Sequence, residues 1–214
     1  LHDLGMLLAA YPEGRKGIQK QNIWKDTVAN LCKQRGLSYN FEELDNIDKD
    51  VEKIATEKTL RLLHGQKAKE LAMISWKDSN EKDMYLIDDK KLRDAYGTII
   101  GKIAQSHWLY CEDLPQEFPT VLGALSIFPE AWTVDPLKLA CILRIADAMH
   151  IDDRRAPSIL KAVREINRES ELHWVFQEKL YKPRIENNRV VYTSKSAFGL
   201  SEIDAWWLCY DTLR

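Results

Sequence analysis

The sequence predicts a mostly α-helical protein with one small β-hairpin near its C-terminus. Apolar residues recur every three or four positions through most of the chain, as they do on the buried face of an amphipathic helix. Gly36 is typical of a residue that ends a helix in the left-handed conformation. Strand-like alternation occurs only around Asn187-Asn188, a dipeptide that favours a tight hairpin turn.

Four helices are predicted in the first half of the chain. The first is short and buried, and Pro12 breaks it; the second is amphipathic and ends at Gly36. The third is long, with a break expected near Gly65, and the fourth is capped by Asp88 or Asp89. The predicted helices span residues 1–11, 18–35, 48–76 and 89–109.

Prolines divide the second half of the chain. Between residues 111 and 136 they restrict the chain to short helices. A strongly apolar helix, expected to be buried, follows over 137–151, and Pro157 starts another that ends near Asn167. Later elements are a helix over 169–180, strands over 182–186 and 189–193, and a helix over 202–213 that Ser201 caps.

Composition places the chain among ordinary globular proteins. Of its 214 residues, 45% are hydrophobic and 30% charged, and a net charge of −2 gives no basic field for nucleic acid. No apolar run reaches the ~18 residues of a membrane span. The four cysteines form no CxxC spacing, which favours reduced thiols in the cytoplasm. We therefore expect a cytoplasmic protein without a membrane or nucleic-acid partner.

The pair His2-Asp3 is the first candidate for chemistry because apolar residues flank it on both sides. An ionised Asp in a buried helix is costly unless it is paired or bound to a metal. Imidazole nitrogens and carboxylate oxygens are good ligands for Mn, Fe, Co, Ni or Zn. A helix-capping Asp beside an unrelated His is the alternative interpretation.

Asp147 is the only acid inside the apolar helix 137–151. Its helical neighbours include Arg144, three residues before it, so a simple ion pair is one interpretation. The other interpretation is that Asp147 is a metal ligand.

His64 and His107 each lie on the predicted core-facing side of their helices. Either one alone is typical of a satisfied core histidine. Together with His2 and Asp147, however, they suggest imidazoles and carboxylates that converge from several helices, as in a metal site between helices.

Two segments resemble the HD superfamily of metal-dependent phosphohydrolases. Leu1-His2-Asp3-Leu4-Gly5 resembles its signature dyad, and the segment 143–149 resembles the late helix whose single Asp completes the metal site. The resemblance implies an HD-type helical bundle with His2, Asp3 and Asp147 as ligands of one or two divalent ions: Mn, Mg, Fe, Co, Ni or Zn. By position, His64 and His107 match further histidines that bind a second metal or the phosphate. The family's first His would lie before Leu1, so we expect residues upstream.

The resemblance also limits what can be transferred. Met6 stands where cyclic-nucleotide-cleaving members have Lys, and the Gly-Tyr-Pro extension of cyclic-di-GMP enzymes is absent. The C-terminal part resembles a subfamily of large bacterial proteins, some of which carry an Hsp90-like ATPase module as a partner. We predict a metal-binding helical core over 1–157 and a C-terminal extension over 158–214.

The predicted function is hydrolysis of a nucleotide or another small phosphate ester. Asp3, His64 and His107 are the candidate catalytic residues, either histidine being able to protonate the leaving oxygen. Cations near them are candidates for binding the substrate phosphate. These are Arg61, Lys67, Arg144 and Arg154. Two alternatives are a metal-stabilised nucleotide-sensing or interaction module without turnover, which regulates an attached ATPase, and a plain helical scaffold.

Overall fold

The computed structural model of the chain describes residues 1–157 and 168–213. It is mostly helical with short antiparallel strand pairs, so the predicted fold class is confirmed. The chain forms two compact units, Leu1–Ala140 and Cys141–Arg214. The predicted domain boundary after residue 157 stays a prediction. Among the described residues, no helix is both long enough and apolar enough to cross a membrane.

The elements are numbered in chain order. The α-helices are α1 Arg15–Gln19, α2 Asn22–Arg35, α3 Lys49–Glu70, α4 Lys90–Gln105, α5 Leu114–Glu117, α6 Pro136–Ala148, α7 Arg168–Lys179 and α8 Ile203–Leu213. Within the described ranges, strands of two or three residues form antiparallel pairs: β1 Trp76–Lys77 with β2 Asp83–Met84, β3 Leu122–Gly123 with β4 Thr133–Val134, and β5 Arg184–Glu186 with β6 Arg189–Val191.

The first unit is built around α3. Asp48 begins this helix, because its carboxylate accepts hydrogen bonds from the N–H groups of Asp50 and Val51. The predicted break near Gly65 does not occur, and the helix ends at Glu70 rather than at Trp76. Helices α1 and α2 pack on one side of α3 around the fully buried Trp24, Val28 and Val51.

Glycines let α4 lie close against α3. A Cβ on Gly101 would lie 2.0 Å from the Lys69 carbonyl oxygen, which is far inside van der Waals contact. A Cβ on Gly97 would lie 2.3 Å from the Met73 sulfur. Because Gly101 has no side chain, the backbones of α3 and α4 approach closely at this point. This close packing sets the position of α4 relative to α3.

The start of the chain is not the buried helix that the apolar run predicts. It forms two 3₁₀ turns, Leu4–Met6 and Leu8–Ala10, and leaves Leu7 and Leu8 about half exposed. The prediction counted apolar residues, whereas the backbone here follows the surface of α3. The prediction that the apolar helix 137–151 is buried is also wrong, since Ile142 and Ile145 are about half exposed.

The second unit packs α7 against α8 around Phe176, Leu180 and Cys209. Its hairpin is confirmed: Asn187 and Asn188 adopt φ angles of 49° and 59°, which are the left-handed values that such a turn needs.

Two further predictions concern the start of the last helix and the segment 157–167. Ser201 does not cap the last helix. The chain enters it through a 3₁₀ turn, Leu200–Glu202, where the Glu202 carboxylate accepts the Gly199 N–H at 2.7 Å. The helix predicted over 157–167 falls almost entirely outside the described residues.

Candidate metal centre

Three predicted site residues meet in the first unit. Asp3 precedes the first 3₁₀ turn, His64 lies in α3, and His107 lies in the 3₁₀ turn Ser106–Trp108 that continues α4. One ligand atom from each side chain lies within 4.8 Å of the other two. Three elements far apart in sequence therefore present a carboxylate and two imidazoles to one point, and this set of side chains could hold a metal ion.

Backbone carbonyls hold both imidazoles in one orientation. Nδ1 of His64 lies 2.5 Å from the Arg61 oxygen, and Nδ1 of His107 lies 2.6 Å from the Ala104 oxygen. A carbonyl oxygen only accepts, so each Nδ1 must donate its hydrogen. In a neutral imidazole the other nitrogen then carries a lone pair, and Nε2 is therefore the free ligand atom of both rings.

The two Nε2 atoms face each other at 2.9 Å. Two lone pairs at this distance repel unless a positive charge lies against them. Zinc–nitrogen bonds are about 2.0–2.1 Å long, so a separation of 2.9 Å is compatible with one cation bound by both nitrogens. The donor set of two imidazoles and a carboxylate also suits a divalent transition metal.

Close backbone approaches produce this arrangement. A Cβ on Gly5 would lie 2.2 Å from the His64 carbonyl oxygen, so only glycine lets the first turn rest on α3 beside that histidine. A Cβ on Gly65 would lie 2.8 Å from Cβ of Trp108, the residue after His107. Glycines thus bring the elements that carry Asp3 and His107 against the His64 turn.

His2 also belongs to this neighbourhood. Its Nε2 lies 3.2 Å from Oδ2 of Asp3, and its ring lies edge-on to the His107 ring with centroids 5.1 Å apart. The His64 side chain is only 3% exposed, whereas Asp3 and His107 are partly open to solvent. The site is therefore buried at His64 and accessible to solvent at Asp3 and His107.

The electrostatic environment favours neutral imidazole. Burial lowers the pKa of His107 below its usual value, and the neighbouring rings of His64 and His2 lower it further. An imidazole must be unprotonated at the ligating nitrogen to bind a metal. The lowered pKa keeps His107 in that form at neutral pH.

Asp147 and Arg144 lie in the part of α6 that belongs to the second unit. There, Nη1 of Arg155 lies 3.3 Å from Oδ1 of Asp147. Arg144 is partly buried. The metal-ligand role of Asp147 and the phosphate role of Arg144 stay predictions.

Acidic side chains pair with Lys67 and Arg154, which were predicted to bind phosphate. Lys67 Nζ lies 2.7 Å from the Glu70 carboxylate and 5.0 Å from the centre of the Tyr11 ring. Arg154 donates from Nε and Nη2 to Asp152, at 2.5–3.0 Å. Arg61 is partly buried, one helical turn before His64.

Asp152 had no predicted role of its own beside Arg154, and it is fully buried. The Arg154 side chain holds the pKa of Asp152 below its usual value. The spacing Asp-x-Arg after a helix was the available signal.

Trp108 is a second residue without a predicted role. Its ring lies edge-on to the His64 ring with centroids 4.7 Å apart, yet about half of the residue is exposed. The only signal in the sequence was that it follows His107 directly.

Comparisons with known proteins give one match. None of the curated proteins and none of the solved structures compared with the chain matches it. A family model described as HD-CE matches the chain over residues 1–214. The family is of the HD type, in keeping with His2-Asp3 and the converging histidines. Because the match extends over the full sequence, the chain belongs to the HD-CE family.

Proposed function

We propose that this protein is a metal-dependent phosphohydrolase that acts on a nucleotide or another small phosphate ester. The observation that carries the proposal is the pair of Nε2 atoms of His64 and His107, 2.9 Å apart, each on a ring whose Nδ1 donates to a backbone carbonyl. Asp3 adds a carboxylate to the pair. A constellation of this kind is difficult to explain as core packing, because core histidines do not need facing lone pairs.

His64, His107 and Asp3 would hold the metal, with His2 beside them and Asp147 as a predicted further ligand. A divalent cation bound there would supply Lewis-acid chemistry, since it acidifies water and offsets charge on phosphoryl oxygens. The chain's own contribution is orientation. The carbonyls of Arg61 and Ala104 fix both rings, so their ligand atoms need no rearrangement when a cation arrives.

The two roles predicted for the histidines exclude each other. Each ring uses Nδ1 for a backbone carbonyl and turns Nε2 toward the other ring. While Nε2 holds a metal, neither His64 nor His107 has a nitrogen left with which to protonate a leaving oxygen. We therefore assign both histidines to metal binding and leave proton donation to water or to His2.

Charge on the substrate phosphate needs a cation near the imidazole pair. Arg61 shares its helical turn with His64, and Lys67 follows His64 by three residues on the same helix. Lys67 would have to leave Glu70, and Arg154 would have to leave Asp152, before either bound phosphate.

The first experiment is metal analysis by plasma mass spectrometry on protein purified without a His tag or chelator. We expect stoichiometric Mn, Fe, Co, Ni or Zn in the wild type and its loss in His64→Ala and Asp3→Ala. His150→Ala is the matched control, because His150 is exposed and lies in the second unit. A screen of nucleotides and simple phosphate esters follows, with Mn²⁺, Mg²⁺ or Zn²⁺ added.

The outcomes separate the hypotheses. Metal-dependent phosphate release that both variants lose supports the hydrolase. Metal that binds in the wild type without any turnover would favour the sensing or interaction module. A wild type that contains no metal and takes up none would leave only the helical scaffold.

A further inference from the structure

Trp108 occupies an unusual place beside the candidate metal centre. It follows His107, and its ring meets the His64 ring edge-on at 77° with centroids 4.7 Å apart. About 51% of the residue is nevertheless exposed. A large aromatic ring left half in water at the rim of a polar site gives up hydrophobic stabilisation that full burial would provide. A ligand that covers the ring would restore it.

The ring is also held in place from below. Cβ and Cγ of Trp108 lie 2.8 and 3.0 Å from the position that a Cβ on Gly65 would take. The Cβ and Cγ atoms of Trp108 therefore pack directly on the α3 backbone at Gly65, one residue after His64. A platform that is rigid before the ligand arrives loses little conformational entropy on binding.

We infer that Trp108 is a stacking platform for the aromatic base of the substrate, and that the substrate class is therefore nucleotides rather than simple phosphate esters. The inference rests on the proposed function. A nucleotide joins a phosphate to a planar base through one sugar. With the phosphate at the His64–His107 pair, the base comes next to the adjacent indole, where stacking requires no match of hydrogen-bonding groups.

A packing role for Trp108 makes a different prediction. If the indole only supports His64, its replacement will disturb the metal site and reduce turnover of every phosphate ester alike. If it is a platform, its replacement will reduce turnover only of substrates that carry a base. Selectivity between two substrates is therefore the quantity to measure.

The experiment compares adenosine 5′-monophosphate with ribose 5-phosphate in the wild type, Trp108→Phe and Trp108→Leu, with saturating Mn²⁺. Trp132→Leu is the control, since Trp132 is also more than half exposed and lies in the same unit. We expect Trp108→Leu to lower kcat/KM for the nucleotide about tenfold or more. We expect no change for ribose 5-phosphate, an intermediate value for Trp108→Phe, and wild-type metal content throughout. An equal fall for both substrates, or no fall for either, would overturn the inference.

Failure of the proposed function can be told apart from failure of this inference. If the wild type hydrolyses neither compound, binding of adenosine 5′-monophosphate is measured by calorimetry on the Mn²⁺-loaded protein. Binding that weakens tenfold or more in Trp108→Leu, with ribose 5-phosphate binding unchanged, supports the platform without turnover. Equal binding by the wild type and Trp108→Leu, or no binding by the wild type, overturns it.

Discussion

Replacing Gly5 by alanine should damage the metal centre without touching any of its ligands. The added Cβ would lie 2.2 Å from the His64 carbonyl oxygen, and ordinary contact begins at 3.4 Å. Since the obstacle is the backbone of α3, the first turn has to move away by about 1.2 Å, the difference between 3.4 and 2.2 Å. Asp3 moves with this turn, because its carbonyl accepts the N–H of Met6.

The size of this displacement of the first turn determines the expected loss of metal affinity. Ligand distances in metal sites hold to within about 0.2 Å. A shift of about 1.2 Å is several times larger, so Asp3 would no longer meet the imidazole pair. We expect metal affinity to fall at least 10–100-fold, the usual loss when a supporting contact of a metal site is removed. Overpacking should also cost about 1–3 kcal/mol of stability.

Calorimetric titration with Mn²⁺ or Zn²⁺ measures the affinity, and urea unfolding measures the stability. Gly123→Ala is the matched control, because a Cβ at Gly123 meets nothing within 4 Å. The control should bind metal as the wild type does. If Gly5→Ala kept wild-type metal affinity while folding normally, the placement of Asp3 by this turn would be refuted.

Two further predictions concern the second unit and the thiols. The Arg154 side chain lowers the pKa of Asp152, so ionised Asp152 stabilises the fold above the pKa it has when unfolded, about 3.9, and this stabilisation is lost as the pH falls through the folded-state pKa. Asp152→Asn should lower the midpoint of urea unfolding at neutral pH, and the midpoint of this variant should decrease less in acid than that of the wild type. An unchanged midpoint at neutral pH would contradict the pairing of Asp152 with Arg154. Burial raises the pKa of Cys209, whereas Cys111 is exposed. A thiol reagent near neutral pH should therefore modify Cys111 rapidly and Cys209 only on unfolding, and equal rates would contradict this burial.

Local signals in the sequence were sufficient for most elements. Gly36 ends α2 in the left-handed conformation, with its N–H on the Cys32 carbonyl, and Asp89 begins α4. The first turns could not be predicted in this way. The apolar run around Gly5 satisfies a helical pattern, but its conformation depends on contact with α3 nearly sixty residues later.

The candidate site was also predictable only in part. Periodicity predicted that His64 and His107 face inward, and the adjacency of His2 and Asp3 marked a possible ligand pair. The two Nε2 atoms face each other because of the spacing between the helices and the hydrogen bonds to backbone carbonyls. Neither of these can be derived from the order of residues in the sequence. The partner of Arg154 could not be chosen from the sequence, because Asp147, Asp152 and Asp153 all lie nearby. Glu70, by contrast, is the acid nearest to Lys67, and its spacing of three residues on a helix indicated the pair.

The orientation of the two imidazoles leads to a direct spectroscopic test. Each Nδ1 donates to a carbonyl of its own helical turn, at 2.5 Å for His64 and 2.6 Å for His107. Binding of diamagnetic Zn²⁺ should therefore change the nitrogen-15 resonances of both Nε2 atoms, while both Nδ1 hydrogens remain. His173, which packs on Phe176 in the second unit, should not respond. If Zn²⁺ instead displaced the Nδ1 hydrogens, both rings would have to leave their carbonyls, and the preorganised site would be refuted.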